Sequence, residues 1–265
     1  MCYDDCKINQ GGIAIASHQS HNRSSRQRPK KSVAARVKNA LFNFIMFVFL
    51  LIGLALIFNG QIKDFIVGRT TDKHAIAAVS SKDIEQNNQK AASFDFDAVE
   101  SLDLETIVKA SNSDIGMDVI GGIAIPSVNL NLPIFKGLSN YALAVGAGTM
   151  KEEQVMGKGN YALASHHMNN PELLFSPLVD VDLGAAIFIT DLSYVYEYRI
   201  VYKEYVAPTR IDVIEDQDDR RMITLVTCDT TGENRLIVQG ELTRIVAKDY
   251  TTDAISQAFN MKKNN

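Results

Sequence analysis

Ile223-Thr224-Leu225-Val226-Thr227-Cys228 is an apolar, β-branched run that ends in a thiol, and Arg235-Leu236-Ile237-Val238 opens a second such run seven residues later. Both read as strands, and Asp229–Asn234 between them reads as the loop of an antiparallel hairpin. In that hairpin Cys228 and Arg235 become neighbours at the strand ends, with directly opposed Cα atoms roughly 4.5–5.5 Å apart. An adjacent guanidinium favours a thiolate over a thiol and can donate to an oxyanion formed when sulfur attacks a carbonyl. Arginine suits this because it stays charged and presents its donors in a fixed fork. Upstream, Tyr161-Ala162-Leu163-Ala164-Ser165 leads into His166 and His167. An imidazole titrates near working pH and can protonate a departing amine. Cysteine, arginine and histidine together form a kit for acyl transfer through a thioester.

Each group also has a plainer reading. A lone strand cysteine is usually a small buried hydrophobe, and a strand arginine is usually solvated. A His-His pair suggests metal, but His18, His21 and His74 fall outside the domain that carries the pair, so a second ligand set is missing. The combination is far more specific than its parts.

With 265 residues, 46% of them hydrophobic, the chain can bury one sizeable core and carry an appendage. Its net charge of −4 argues against nucleic acid as a partner. The charge is uneven: seven basic residues and no acid lie between Arg23 and Lys38. Directly after them, Leu41 to Phe58 is apolar except for Asn43. As a helix those residues rise about 27 Å, close to the hydrocarbon thickness of a bilayer. The basic flank puts the N-terminus in the cytoplasm and everything after Asn59 on the outer face of the plasma membrane. A cleaved signal peptide is the rival reading, but its small-residue site, Gly53-Leu54-Ala55, lies inside the apolar run instead of after it. A buried soluble helix fits the basic flank least. Of the cysteines, Cys2 and Cys6 then face the cytoplasm and Cys228 faces out alone, as a reactive thiol or an intermolecular bridge.

The expected organisation is a basic tail over 1–40, a transmembrane helix over 41–58, an extracellular stalk over 59–115, a β-barrel over 116–250 and a polar tail over 251–265. Apolar residues at 96, 99, 104, 107 and 108 fit one face of a helix between Phe94 and Ala110. Strands are expected at Ile120–Ile125, Leu130–Phe135, Tyr161–His166, Ala186–Thr190, Tyr194–Val206, Met222–Cys228 and Arg235–Val246. The longest alternates, with Tyr194, Tyr196, Tyr198, Ile200 and Tyr202 on one face. Prolines fall at or near strand ends or between strands, where a missing N–H is tolerated. Seven or eight short strands suggest a closed or nearly closed, mainly β barrel with a short helix near Ala142–Met150 or Pro171–Leu178.

Thr224-Leu225-Val226-Thr227-Cys228 followed by Arg235 resembles the Thr-Leu-x-Thr-Cys…Arg signature of the sortases, and Ala164-Ser165-His166-His167 resembles their histidine segment. The resemblance runs from about 118 to 250 and includes Ile123-Ala124-Ile125-Pro126. The layout of basic tail, membrane helix, stalk and barrel is similar to that of class A members. It implies an eight-stranded β-barrel and a cysteine transpeptidase that cleaves a Leu-Pro-x-Thr-Gly sorting signal between Thr and Gly. By carry-over, Cys228 forms the thioester, Arg235 steadies the oxyanion, and His166 protonates the glycine amine before deprotonating the acceptor. The family pattern selects His166, the first of the pair. The acceptor is an amine of the peptidoglycan precursor lipid II, so secreted proteins become anchored to a Gram-positive wall. Ala164, Val226, Pro208, Val213 and Ile214 are the expected groove residues, with Thr227 and His167 as further substrate contacts. For Val213 and Ile214 an ordinary core role is equally open.

No cofactor is expected. Some class A members order a loop with calcium, and Glu152, Glu153, Glu215, Asp216, Asp218 and Asp219 supply acids in the matching regions, but without a recognisable calcium-loop spacing. Three rivals stand. A pilus-polymerising sortase would use a pilin lysine and typically adds a second C-terminal membrane helix, for which Lys248–Asn265 has no apolar run. A non-catalytic surface-binding β-domain would not need the thiol. A plain cysteine protease would not ligate when an amine is added.

Overall fold

The computed structural model describes residues 33–74, 76–96, 98, 99, 102–112 and 118–260. Cys2, Cys6 and most of the expected basic tail lie outside the described residues. Eight strands close into a barrel: β1 Val119–Ile125, β2 Leu130–Phe135, β3 Ala147–Thr149, β4 Asn160–Ala164, β5 Ala186–Thr190, β6 Tyr194–Val206, β7 Met222–Cys228 and β8 Arg235–Ala247. Their order around the barrel is β1-β2-β3-β4-β7-β8-β6-β5, with β5 returning to β1. Two junctions are parallel, β2 with β3 and β4 with β7; the others are antiparallel.

The interior is filled by alternate residues of every strand, among them Ile123, Leu132, Tyr161, Leu163, Ile189, Tyr198, Ile223, Leu225 and Val238. The aromatic stripe of β6 holds only in its middle, where Tyr196, Tyr198 and Ile200 are buried. Tyr194 is exposed at one end, and a register irregularity between Ile200 and Tyr202 breaks the alternation at the other. Pro133 lies inside β2, opposite Gly122, in a stretch that β3 does not reach.

β3 replaces most of the helix expected over 142–150; the helix there, α5, is confined to Asn140–Leu143. β3 runs so close to its neighbours that a Cβ at Gly148 would collide with the Gly137 carbonyl. Near Pro171–Leu178 the chain makes a 3-10 turn over Ser176–Asp180.

The segment expected as a stalk does not stand clear of the barrel. It forms α2 Asn59–Lys73, α3 Ser81–Asn88 and α4 Leu104–Asn112. Each inserts apolar side chains against the body: Val67 from α2, Ile84 from α3, Ile107 and Ala110 from α4. Backbone-directed bonds add to this packing, from Thr71 Oγ1 to Val145 O (2.8 Å) and from Asn87 Nδ2 to Val119 O (2.9 Å). α3 begins with a capping box between Ser80 and Asp83. The helix expected from Phe94 starts instead at Leu104, and 91–96 is extended loop. At the other end, the tail folds into a helix, α6 over Asp253–Asn260, that buries Ile255 and Ala258 against Ala124 and Phe188.

α1, Val33–Ile57, has 25 residues. From Arg36 to Ile57 it is long and apolar enough to cross a membrane. Its phenylalanines, including Phe42, Phe44, Phe47 and Phe49, are exposed, which suits a helix solvated by lipid.

Candidate active site

The β7–β8 ladder aligns three cross-strand pairs on one outer face of the barrel: Thr224 with Gln239, Val226 with Ile237, and Cys228 with Arg235. Residues two apart on a strand share a face, so chemistry, apolar contact and buried polarity follow one another along it. On the other flank, parallel β4 places Ala162 beside Thr224 and Ala164 beside Val226.

The β4 pairing extends past its last strand residue. Ser165 N donates to Val226 O (3.2 Å), Thr227 Oγ1 donates to Ser165 O (2.9 Å), and Ser165 Oγ donates to Gly146 O (2.7 Å). The chain is thus clasped immediately before His166. Beyond it, Phe175 N donates to His166 O (3.2 Å), His167 bridges to Leu174, and Met168 N donates to Ser176 Oγ (2.7 Å). Leu174 has φ of +51° while its side chain is fully buried, a left-handed conformation that costs a leucine energy and that the packing around it imposes.

His166 is partly exposed as a residue, yet its Nε2 is buried and makes no hydrogen bond among the described residues. Burial favours the neutral ring and lowers its pKa to about 4. Such an unpaired nitrogen is rare in a folded protein and suits a group that must take and release a proton.

Arg235 spends Nη1 on two carbonyls of its own hairpin, Gly232 O (3.0 Å) and Asn234 O (3.1 Å). The hairpin is organised by Asp229, whose carboxylate accepts from Thr231 N and Oγ1 and from Asn234 N and Nδ2. Desolvation would raise the Asp229 pKa, but these hydrogen bonds outweigh it and hold it down at about 2. Gly232, at φ of +79°, permits the turn.

Cys228, His166 and Arg235 open onto one cleft of about 500 Å³, which Ala164, Val226, Thr227 and Pro208 also line. A recess of about 90 Å³ adjoins it, lined by Pro208, Val213, Ile214, Val226, Ile237 and Arg235. Of the residues expected from the sequence, His167 does not line either cavity. Thr227 borders the cleft, but its hydroxyl is occupied by Ser165 O.

Sequence reasoning missed Phe96, Val99, Leu138, Leu143 and Met150 on the cleft wall and Ile237 in the recess. Ile237 was available from register, two residues beyond Arg235 and opposite Val226. The others reach the cleft from distant segments and carry no local signal. Among the described residues no three His, Cys, Asp or Glu side chains converge as a metal-holding group. Asp216 instead pairs with Lys151 and accepts from Asn160 N (2.9 Å).

The family model described as the sortase domain matches residues 123–243. The chain is 41% identical over 236 residues to sortase A of Streptococcus agalactiae, covering 85% of this chain and 96% of that one. It is 41% identical over 200 residues to sortase A of Listeria monocytogenes, covering 75% and 90%. The crystal structure of Listeria monocytogenes sortase A superposes with a TM-score of 0.50 at 40% identity, covering 53% of this chain and 97% of that structure. The chain therefore belongs to the sortase family of transpeptidases, in its class A.

Proposed function

We propose that this enzyme cleaves a Leu-Pro-x-Thr-Gly-type sorting signal between Thr and Gly and transfers the threonyl acyl group to an amine of lipid II. The observation that carries the reading is the convergence of Cys228, His166 and Arg235 on one cleft with an apolar recess beside it. The Cys228 sulfur attacks the threonine carbonyl carbon as the neutral imidazole of His166 takes the thiol proton. The guanidinium of Arg235 donates to the oxyanion, a role that requires it to exchange a loop carbonyl for substrate. Collapse breaks the C–N bond, and His166 returns its proton to the departing glycine amine, leaving a thioester. In the second half the acceptor amine attacks this thioester, His166 takes the amine proton, the C–S bond breaks, and His166 passes that proton to the departing sulfur, regenerating the thiol and the neutral imidazole. The recess lined by Pro208, Val213 and Ile214 receives the apolar residues of the signal, while Ala164 and Val226 floor the cleft.

No cofactor takes part in this sequence, and calcium is not assigned a role. Lying in α1 up to Ile57 and preceded by basic residues, the segment 41–58 holds the enzyme in the plasma membrane with the barrel on the wall side. Its partners are signal-bearing secreted proteins and the wall precursor, not nucleic acid.

The test mixes the full-length protein in detergent with a fluorescent Leu-Pro-x-Thr-Gly peptide and oligoglycine. A ligated product is expected, lost in Cys228→Ala and reduced roughly 10²-fold or more in His166→Ala and Arg235→Ala. Ligation that persists in Cys228→Ala would overturn the mechanism.

A further inference from the structure

Between β6 and β7, residues 207–221 form a long loop in which no side chain is buried. Its own backbone bonds are short-range turns, such as Arg210 N to Ala207 O and Glu215 N to Asp212 O. The loop's own side chains supply only peripheral ties, Ile214 packed at the edge of a core cluster, Asp216 paired with Lys151 and Arg220 with Glu241, and none of them is a buried core residue. Yet Val213 and Ile214 from this loop line the apolar recess beside Arg235.

The backbone in the middle of the loop is held from beneath. Asn160 Nδ2 donates to Val213 O (3.0 Å) and to Glu215 O (3.1 Å). Gln239 Nε2 donates to Val213 O as well (3.0 Å). Thr224 joins the two amides, donating from Oγ1 to Asn160 Oδ1 (2.7 Å) and accepting from Gln239 Nε2 (3.1 Å). Asn160 is 1% exposed, Thr224 0% and Gln239 8%, so water does not compete for these groups. Three side chains from three adjacent strands thus converge on the carbonyls of one exposed loop. Each amide NH2 group thus has two acceptors, and such buried bonds fix geometry because an alternative arrangement leaves a donor unpaired.

We propose that Asn160, Thr224 and Gln239 are positioning residues that hold Val213 and Ile214 as a preformed wall of the recess, and so set the enzyme's affinity for the sorting signal. Thr224 and Gln239 pair one pleat below Val226–Ile237 and two below Cys228–Arg235, Asn160 lies beside Met222 further down, and none of the three lines the cleft or the recess. The inference rests on the reading of the recess given under Proposed function. A preordered wall lowers the ordering cost of binding, so its loss falls on KM more than on kcat.

Thr224 provides the decisive pair of variants. Thr224→Val keeps the shape and removes the hydroxyl; Thr224→Ser keeps the hydroxyl and removes a buried methyl. In the full-length protein in detergent, with the fluorescent Leu-Pro-x-Thr-Gly peptide, Thr224→Val is expected to raise KM about tenfold and to change kcat less than about threefold. Thr224→Ser is expected to keep a KM near wild type. Amide hydrogen exchange over 212–216 should accelerate in the valine variant alone, and iodoacetamide should alkylate Cys228 at the wild-type rate in both. Gln239→Leu, which leaves the Thr224–Asn160 bond in place, should raise KM about threefold and serves if Thr224→Val does not fold.

A wild-type KM in Thr224→Val, an equal rise in Thr224→Ser, or a fall in kcat at constant KM would overturn the proposal. Should the wild-type enzyme leave the peptide intact, the functional reading fails instead. Hydrogen exchange then still decides the clamp, since unchanged exchange over 212–216 in Thr224→Val or Gln239→Leu refutes it without any substrate.

Discussion

His166 and His167 are adjacent in sequence and each carries a buried ring nitrogen without a hydrogen bond among the described residues, yet they occupy different places in the site. Both rings are shifted towards the neutral form by burial, but the nearby Asp229 carboxylate opposes the shift at His167, and only His166 lines the cleft. The low pKa of His166 has a consequence for stability. The unfolded imidazole binds a proton near pH 6.5 and the folded one near 4, so between those values the unfolded state holds more protons. Stability from this group is whole above about pH 6.5 and is lost as pH falls towards 4, by on the order of 3 kcal/mol at most. Urea denaturation at pH 7.5 and pH 5 should show a loss in wild type that is smaller in His166→Gln; an equal loss in both would show that the ring is not held neutral. At this scale the residue types and spacing of Cys228, Arg235 and His166 singled out side chains that the fold brings to one cleft. Thr227 lines that cleft too, but the sequence did not announce that its hydroxyl turns to the Ser165 carbonyl, 62 residues away.

β7 and its neighbours show how the elements place those residues. The strands β2, β5, β6 and β7 have the limits expected from their β-branched and aromatic runs, because a period of two and flanking turn residues mark both ends. β4 ends at Ala164 instead of His166, since the chain must leave the ladder to turn the imidazole into the cleft. β3 escaped notice: Ala147-Gly148-Thr149 is three residues long, and its glycine records a close tertiary approach instead of a local preference. The polar texture of 59–115 concealed α2 and α3, which bury few apolar side chains, while the helix expected from Phe94 corresponds only to the later-starting α4. The clasp from Thr227 to Ser165 joins β7 to the end of β4 and can be tested as an element-scale device. Thr227→Val should cost about 1–2 kcal/mol of stability and lower kcat about tenfold with little change in KM, by freeing His166 relative to Cys228. Thr227→Ser should restore both in denaturation and steady-state assays; a KM effect would instead make Thr227 the substrate contact that its position in the motif suggested.

Barrel closure is what makes a one-sided constellation possible. β7 sits between parallel β4 and antiparallel β8, so residues separated by about 60–70 positions in the chain meet on a single face while the opposite face fills the core. The same face grades from buried polarity at Thr224 through apolar contact at Val226 to the thiol of Cys228, and the long loop before β7 lies over it. An amphipathic chain pattern revealed the strands and the apolar helix α1, but not the long-range packing of α2, α3, α4 and α6 on the barrel, which depends on contacts across the whole molecule. The central claim concerns a covalent bond, so the most direct test looks for it. The full-length protein in detergent is mixed with a Leu-Pro-x-Thr-Gly peptide without acceptor amine, quenched in acid after seconds, digested and examined by mass spectrometry. The peptide fragment ending at threonine should be found on Cys228 and be released by hydroxylamine as the hydroxamate. Peptide cleaved at the Thr–Gly bond while Cys228 stays unmodified at every quench time, with the same cleavage in Cys228→Ala, would contradict the account.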